Sequence, residues 1–321
     1  AEYGRMKRAT FAMMTAAAAA AGAPGAVFGQ TAVPVRIGTS ATESYALAFY
    51  AQQQGFFARH GIDAEVTVIP GASGGAAAAL VGGAIDIGCV SMGPLANAYL
   101  RGIPMRIVAP GALVLASEQT TKIVVANASP IQTPRDLNGK TVGTIVLKDV
   151  MHVATLKYID DNGGDSKSVR IVEMPMTDSG PALVSGRIDA YPMSEPTLSA
   201  SFAKGGIRII EPAGIYAAIS KRTLISMYVA MNDWILKNPA AVRRVALAMR
   251  QAAQWANANP AGVASILESI AKLPASSFAR MKHVRYADAF DAAATIQPQI
   301  DALAEYQFIP SRFAAEEIIW A

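Results

Sequence analysis

At 321 residues, with 52% hydrophobic and 16% charged side chains, the chain is long enough to bury two modest cores and too apolar to remain disordered. Its net charge of +4 is small for that length, and no run of Lys or Arg interleaved with aromatics could follow a phosphate backbone, so no nucleic-acid partner is expected. A single cysteine, Cys89, excludes an intramolecular disulfide and a thiolate metal cluster, and its place ahead of Val90 and Ser91 suits a buried strand thiol.

Lys7 and Arg8 precede an Ala-dominated apolar run from about Ala9 to Ala23, followed by Pro24, Gly25 and the stretch Val27, Phe28, Gly29, Gln30. A basic region, a short apolar region and a cleavage site in that order predict a secretory signal over residues 1–29, cut before Gln30, and a periplasmic location. The run is shorter and less apolar than the roughly 20 residues a membrane span requires. Arg8 to Phe11 carry part of a twin-arginine pattern, with Lys7 in place of the first arginine, and no cysteine lies near the cleavage point to take a lipid anchor.

From Val35 onward, short β-branched runs alternate with Ala/Leu-rich helical stretches, the pattern of an α/β fold around a mainly parallel sheet. Strands are predicted at Val35–Gly38, Ala64–Ile69, Ile85–Val90 and Met105–Val108. Helices are predicted at about Ser44–Gln54, Gly74–Val81 and Pro94–Leu100, each ending near a glycine, at Gly55, Gly82 and Gly102. The order then repeats. Leu80, Val81, Gly83, Ile85 and Asp86 align without a gap on Leu183, Val184, Gly186, Ile188 and Asp189. Gly38 and Thr39 correspond to Gly143 and Thr144, Pro94–Leu95 to Pro196–Thr197, and Met105–Val108 to Ile207–Ile210. Two similar α/β, Rossmann-like lobes are therefore expected. Lobe 1 comprises residues 33–121 plus 227–321 and lobe 2 residues 122–226, with Thr121–Ala126 and Ser226–Met231 as a two-crossover hinge. Open α/β sheets bind ligands beyond the carboxyl ends of their strands, so the cleft between lobes is the expected site. Beyond the return the chain reads as helical: Asn238–Pro239 and Asn259–Pro260 each form a cap and first-turn pair. Val242, Val245, Met249 and Ala253 share one face that should pack on lobe 1. Trp234, Trp255 and Trp320 read as anchors of this scaffold.

The run Gly55, Phe56, Phe57, then His60, Gly61, Ile62, Asp63 resembles the signature of the periplasmic solute-binding proteins that serve nitrate, sulfonate, taurine and thiamine-precursor importers. So do Ala79, Leu80, Gly83, Asp86, Ile87, Gly88; Asp136, Leu137, Gly139, Lys140, Val142, Gly143; and Glu195 with Pro196. The resemblance runs from about Val35 to Pro260. It implies a type II periplasmic binding fold and an inner-membrane ABC permease with its ATPase as partners. It also implies a monomeric carrier of a small organic anion of the sulfonate, taurine or nitrate type, or alternatively of a neutral heterocycle such as a thiamine-precursor pyrimidine or a flavin. Some relatives make the thiamine pyrimidine with a cysteine-rich segment and a bound cofactor; that segment is missing here, and no cofactor is expected.

Residues after strand ends and at helix starts offer free N–H groups and partial positive charge. In lobe 1 these are Thr39, Ser40, Glu43, Ser73, Gly74, Ser91 and Met92. In lobe 2 they are Thr144, Val146, Tyr191 and Glu195, with Asp178, Ser179 and Met193 nearby. For each Ser or Asp the competing reading is a simple helix cap. Three Ser/Thr-bearing helix starts favour an acidic head group. Glu43 and Glu195 argue the other way, since a buried carboxylate beside an anion is costly unless protonated or paired. Lys148 or Arg187 could neutralise Glu195, and Tyr45, Tyr191 or Tyr216 could stack on a ring, although solvated bases and lobe-filling tyrosines are the commoner arrangements.

Gly71, Ala72, Ser73, Gly74, Gly75 fits the G-x-S-x-G nucleophile elbow, which makes a serine hydrolase using Ser73 the enzymatic alternative. A triad would need a late acid and histidine in the cleft. His60, His152 and His283 do not stand at late strand ends, and His283 falls in the helical tail. We therefore expect no enzyme. No His-x-x-x-His or clustered Cys/His spacing predicts a metal site, and no attached DNA-binding or membrane segment of a sensor is expected.

Overall fold

The alternation of β-branched and Ala/Leu-rich stretches folds as its two periodicities require. The computed structural model describes residues 32–212, 214–271 and 282–320; the signal predicted over residues 1–29 lies outside them. The first repeat runs β1 (Val33–Thr39), α1 (Leu47–Gln53), α2 (Phe56–Arg59), β2 (Ile62–Val68), α3 (Ala72–Val81), β3 (Ile87–Val90), α4 (Met92–Leu100) and β4 (Met105–Pro110). After β5 (Ala112–Leu115) and β6 (Thr121–Ala126), the second runs β7 (Thr141–Thr144), α5 (Val150–Asp161), β8 (Arg170–Glu173), α6 (Met176–Val184), β9 (Ala190–Ser194), α7 (Thr197–Lys204) and β10 (Ile207–Ile209). Then come β11 (Arg222–Leu224), β12 (Met227–Met231), α8 (Asn232–Lys237), α9 (Pro239–Ala258), α10 (Pro260–Ala271), β13 (Arg285–Tyr286), α11 (Ala292–Thr295) and α12 (Gln297–Glu305).

Two five-stranded sheets result, ordered β2-β1-β3-β12-β4 and β8-β7-β9-β6-β10. The second reproduces the first strand for strand. In each, the opening strand is parallel to both neighbours, and one strand, β12 or β6, runs antiparallel. The stretches read as crossings are thus members of the sheets. A third sheet, not expected from the sequence, joins strands from three distant places, β11-β5-β13, with both pairings antiparallel.

The repeat is held by the same device twice. Asp86 accepts the Arg36 N–H at 2.8 Å and returns its own N–H to Arg36 O at 2.9 Å. At the equivalent place Asp189 accepts the Thr141 N–H at 2.8 Å and returns its N–H to Thr141 O at 2.8 Å. The aspartate that follows each tight turn therefore locks the following strand to the middle of β1 or the start of β7. Gly38 and Gly143 match as well: an added Cβ would stand 2.6 Å from the Ile85 side chain at the first and 2.4 Å from the Tyr191 ring at the second.

Helix α9 buries Val242, Val245, Met249 and Ala253, and packs on α1 and α2 as its apolar face requires. Asn238 and Asn259 do not cap forward. Their amides donate to Trp234 O at 2.9 Å and Trp255 O at 2.8 Å, closing the ends of the preceding helices, which leaves the proline to start the next. Helix α12 packs on both α4 and α5: Val153 of α5 shares one core with Leu95, Ile300 and Leu303. Helix α12 therefore touches the helical layers of both sheets. Among the described residues no helix is long and apolar enough to cross a membrane.

Removing the Asp189 carboxylate leaves the half-buried Thr141 N–H without its acceptor. Asp189→Ala should lower the unfolding free energy by about 1–3 kcal/mol, read from the midpoint of a urea titration, while Arg187→Ala on the neighbouring exposed turn should leave that midpoint in place.

Candidate functional site

The carboxyl ends of β1 and β3 and the turn after β7 bring polar groups together. Ser73, in the first turn of α3, and Ser91, ahead of α4, are each 1% exposed. The Ser91 N–H donates to Ser73 Oγ at 2.8 Å, and the two hydroxyls stand 2.8 Å apart. Asp149, just before α5, completes the cluster from the other sheet's helical layer. Its Oδ2 accepts from Ser91 Oγ at 2.7 Å, and its Oδ1 accepts the Gly93 N–H at 3.0 Å and the Val150 N–H at 2.7 Å. One carboxylate thus meets the N-termini of two helices, α4 and α5, where free amides and the helix dipole favour negative charge. Burial pushes the Asp149 pKa up, against the pull of its three donors.

The turn that presents Asp149 is pinned residue by residue. The Leu147 N–H donates to Glu173 at 2.8 Å, and the Lys148 N–H to His152 Nδ1 at 3.0 Å, with Lys148 at φ +58°. Gly93 accepts this turn because it lacks a side chain: an added Cβ would stand 2.7 Å from Lys148 O and 2.8 Å from Asp149 Oδ1. Tyr45 and Tyr216 close the cluster. Burial first, and the Asp149 charge second, hold both phenols above their ordinary pKa.

On the other flank stands Glu43, in the short 3-10 turn after β1, with 1% exposure. Its Oε1 lies 2.6 Å from His283 Nδ1. The Val284 N–H approaches the same carboxylate, yet among the described residues Oε2 has no partner at hydrogen-bonding geometry. Burial raises the Glu43 pKa, the His283 contact lowers it, and the nearby Glu195 charge raises it further. His283 does not lie in a helical tail. It comes just before β13, which pairs with β5, and so reaches the end of β1. No sequence signal marks this, because the partners are 240 residues apart.

The other sequence-predicted residues separate by what already holds them. Thr39 Oγ1 donates to Tyr45 O, and burial pushes the neighbouring Cys89 thiol up to about 12, which makes it an inert strand residue. Met92 lies in the core. Tyr191 is fully buried within β9, with its hydroxyl donating to Met174 O at 3.1 Å. Glu195 takes the Ser199 N–H at 2.9 Å and its hydroxyl at 2.8 Å, acting as a clasp on α7, and Lys148 and Arg187 are both exposed. Gly74 and Asp178 are exposed and Ser179 donates to Met176 O at 2.6 Å. Met193 is buried, and Ser40 and Val146 are half-buried. Thr144, at the end of β7, is 1% exposed with its hydroxyl unpartnered. Asp149 was missed; an Asp before an apolar run signals a cap, and its second role, toward Ser91 and Gly93, leaves no local pattern. Ser73 has Ser91 as its partner rather than a histidine. His152 is engaged by Lys148 and Phe308, and His283 by Glu43, so the elbow motif is not assembled into a triad.

Two sheets of one strand order, with polar groups gathered at their carboxyl ends, define the fold of the periplasmic binding proteins. The periplasmic aliphatic sulphonate binding protein SsuA of Escherichia coli superposes with a TM-score of 0.71 at 20% identity, over 90% of this chain and 92% of that one. The alkanesulfonate-binding protein SsuA of Xanthomonas axonopodis pv. citri, bound to MOPS, gives 0.69 at 18% identity over 90% and 98%. The periplasmic nitrate-binding protein NrtA of Synechocystis PCC 6803 gives 0.69 at 16% over 89% and 84%. Residues 43–263 match the family described as NMT1/THI5 like, and the chain belongs to it. Proteins of Brucella abortus and Brucella suis that carry only the general designation of binding protein are 24% identical over 246 residues, 71% of this chain and 68% of theirs.

His152, 7% exposed beneath Phe308, has its pKa lowered to about 4 by burial, from 6.5. The unfolded chain then binds this proton more readily. Its contribution is complete above pH 6.5 and is lost as pH falls toward 4, by about 3 kcal/mol. His152→Asn, whose amide oxygen can still accept from Lys148, should flatten the wild-type decline in unfolding free energy between those pH values, measured by urea titration at each pH.

Proposed function

We propose that this protein is the solute-binding subunit of an ABC-type importer, working as a monomer in the periplasm. In this reading residues 33–121 with 227–321 form one lobe and residues 122–226 the other. The third sheet lies where the chain passes between them, and closure around a solute creates the surface that the permease and its ATPase read. The periplasmic sulphonate- and nitrate-binding proteins that share its fold support this role, as does the family that includes it. The protein binds and hands over its solute and performs no chemistry on it.

Ser/Thr-bearing helix starts suggest a small organic anion, but the charges of the site favour the neutral-heterocycle reading. The observation that carries this is the Glu43 carboxylate, buried just after β1, with no partner for Oε2 among the described residues and Glu195 close by. A buried acceptor left unmade costs about 1–3 kcal/mol, and a solute N–H meets that need where an anion would add repulsion. A neutral or basic nitrogen heterocycle, with Tyr45 and Tyr216 near its plane and the Thr144 hydroxyl as a further partner, fits these groups.

A thermal-shift panel tests the reading. Nitrate, small sulfonates and small carboxylates should leave the melting temperature unchanged, and aminopyrimidines or related heterocycles should raise it. Glu43→Gln should weaken binding of the responding compound by roughly tenfold or more, measured by calorimetry. Stabilisation by a simple anion, undiminished in Glu43→Gln, would sink it.

A further inference from the structure

The carboxylate of Asp149 stands in a setting made for an oxyanion, yet it belongs to the protein. It is 5% exposed, and its oxygens take a serine hydroxyl, the Gly93 N–H at the start of α4 and the Val150 N–H at the start of α5. The start of α4 meets it directly through Ser91 and Gly93, Ser73 of α3 backs Ser91 from behind, and the phenols of Tyr45, in the turn after β1, and Tyr216, in the 3-10 turn Ile215–Ala218, lie within reach of its charge. It does more than cap its own helix. A cap needs only the Val150 N–H, whereas two of the three bonds cross to Ser91 and Gly93, which are 58 and 56 residues away. The bare Gly93 Cα and the left-handed Lys148 are the backbone arrangements that let the side chain reach so far.

We infer that Asp149 is the specificity-determining residue of the cleft: its carboxylate takes the position that a solute's acid group would occupy against Ser91 and Gly93, and so keeps small oxyanions out. The inference rests on the proposed solute site lying between the two sheets. It adds that anion exclusion is the work of one side chain, and that emptying its place makes an oxyanion site of the size of a carboxylate. A carboxylate already seated there repels a second one, and an oxyanion could enter only by displacing a group tethered at negligible entropic loss.

The test uses the full chain with sodium formate, the smallest carboxylate, against sodium chloride at equal ionic strength. Asp149→Ser retains an oxygen able to cap α5 but vacates the crossing position; Asp149→Asn keeps it filled. Wild type and Asp149→Asn should show the same melting temperature in formate and chloride. Asp149→Ser should melt lower in chloride and recover saturably in formate, with a dissociation constant readable by calorimetry; the further change Ser91→Ala should abolish that recovery. Two results would overturn the inference: a folded Asp149→Ser that responds to formate no more than to chloride, or a wild type that binds formate as well as the variant does. The wild-type arm stands even if Asp149→Ser does not fold. Formate recovery requires no transported solute, so failure of the heterocycle panel leaves this result intact, and failure here leaves the donor-reading role of Glu43 intact.

Discussion

A carboxylate moved out of water must find donors, and nearly everything around the starts of α4 and α5 follows from how Asp149 finds them. Its bonds tie the start of α5 to the start of α4, so a helix laid on one sheet is positioned by a helix laid on the other. Burial works against the charge and two helix starts work for it. Neither the serine pair, nor the glycine that admits the turn, nor the bent Lys148 backbone has as good an explanation apart from this one group. Below it on the same helix, His152 is kept neutral under Phe308, and Asp160 accepts from Tyr306 at 2.7 Å, so the contact continues along α5.

Away from the cleft the molecule is built by repetition. Both sheets place the strands in the same order, and both secure their opening strand with an aspartate that trades backbone bonds across to it. The duplication stops where the chemistry begins. The turn after β1 carries Glu43 and Tyr45, and the turn after β7 carries Lys148 and Asp149. Loops at strand ends can differ because the sheets beneath them carry the stability.

This division explains what could be read from the amino-acid order. Asp86 and Asp189, Gly38 and Gly143, and the apolar face of α9 announce themselves by spacing, since each acts within a few residues or within a repeated unit. The Ser73, Ser91 and Thr144 positions were also legible as strand-end or helix-start residues, although only their surroundings decide whether they are free. Asp149 and His283 were not legible in these roles. Each meets its partner across a long stretch of chain, and an Asp before a helix or a His in a polar segment looks the same whether or not that partner exists. Tyr191 reads in the sequence as following a strand end, whereas it is the second residue of β9, with its ring over the bare face of Gly143. The asparagines before Pro239 and Pro260 misled by serving the helix behind them.

His283 sits against Glu43 from a stretch of chain outside both repeated sheets. In the proposed reading, the group offered to a solute is therefore adjusted from a segment that belongs to neither five-stranded sheet, although Tyr286 close behind it is buried and paired with β5. Exchanges at the half-buried His283 itself would then retune what is accepted while the duplicated framework goes on folding as before, which would give one scaffold a route to new cargo through a single side chain.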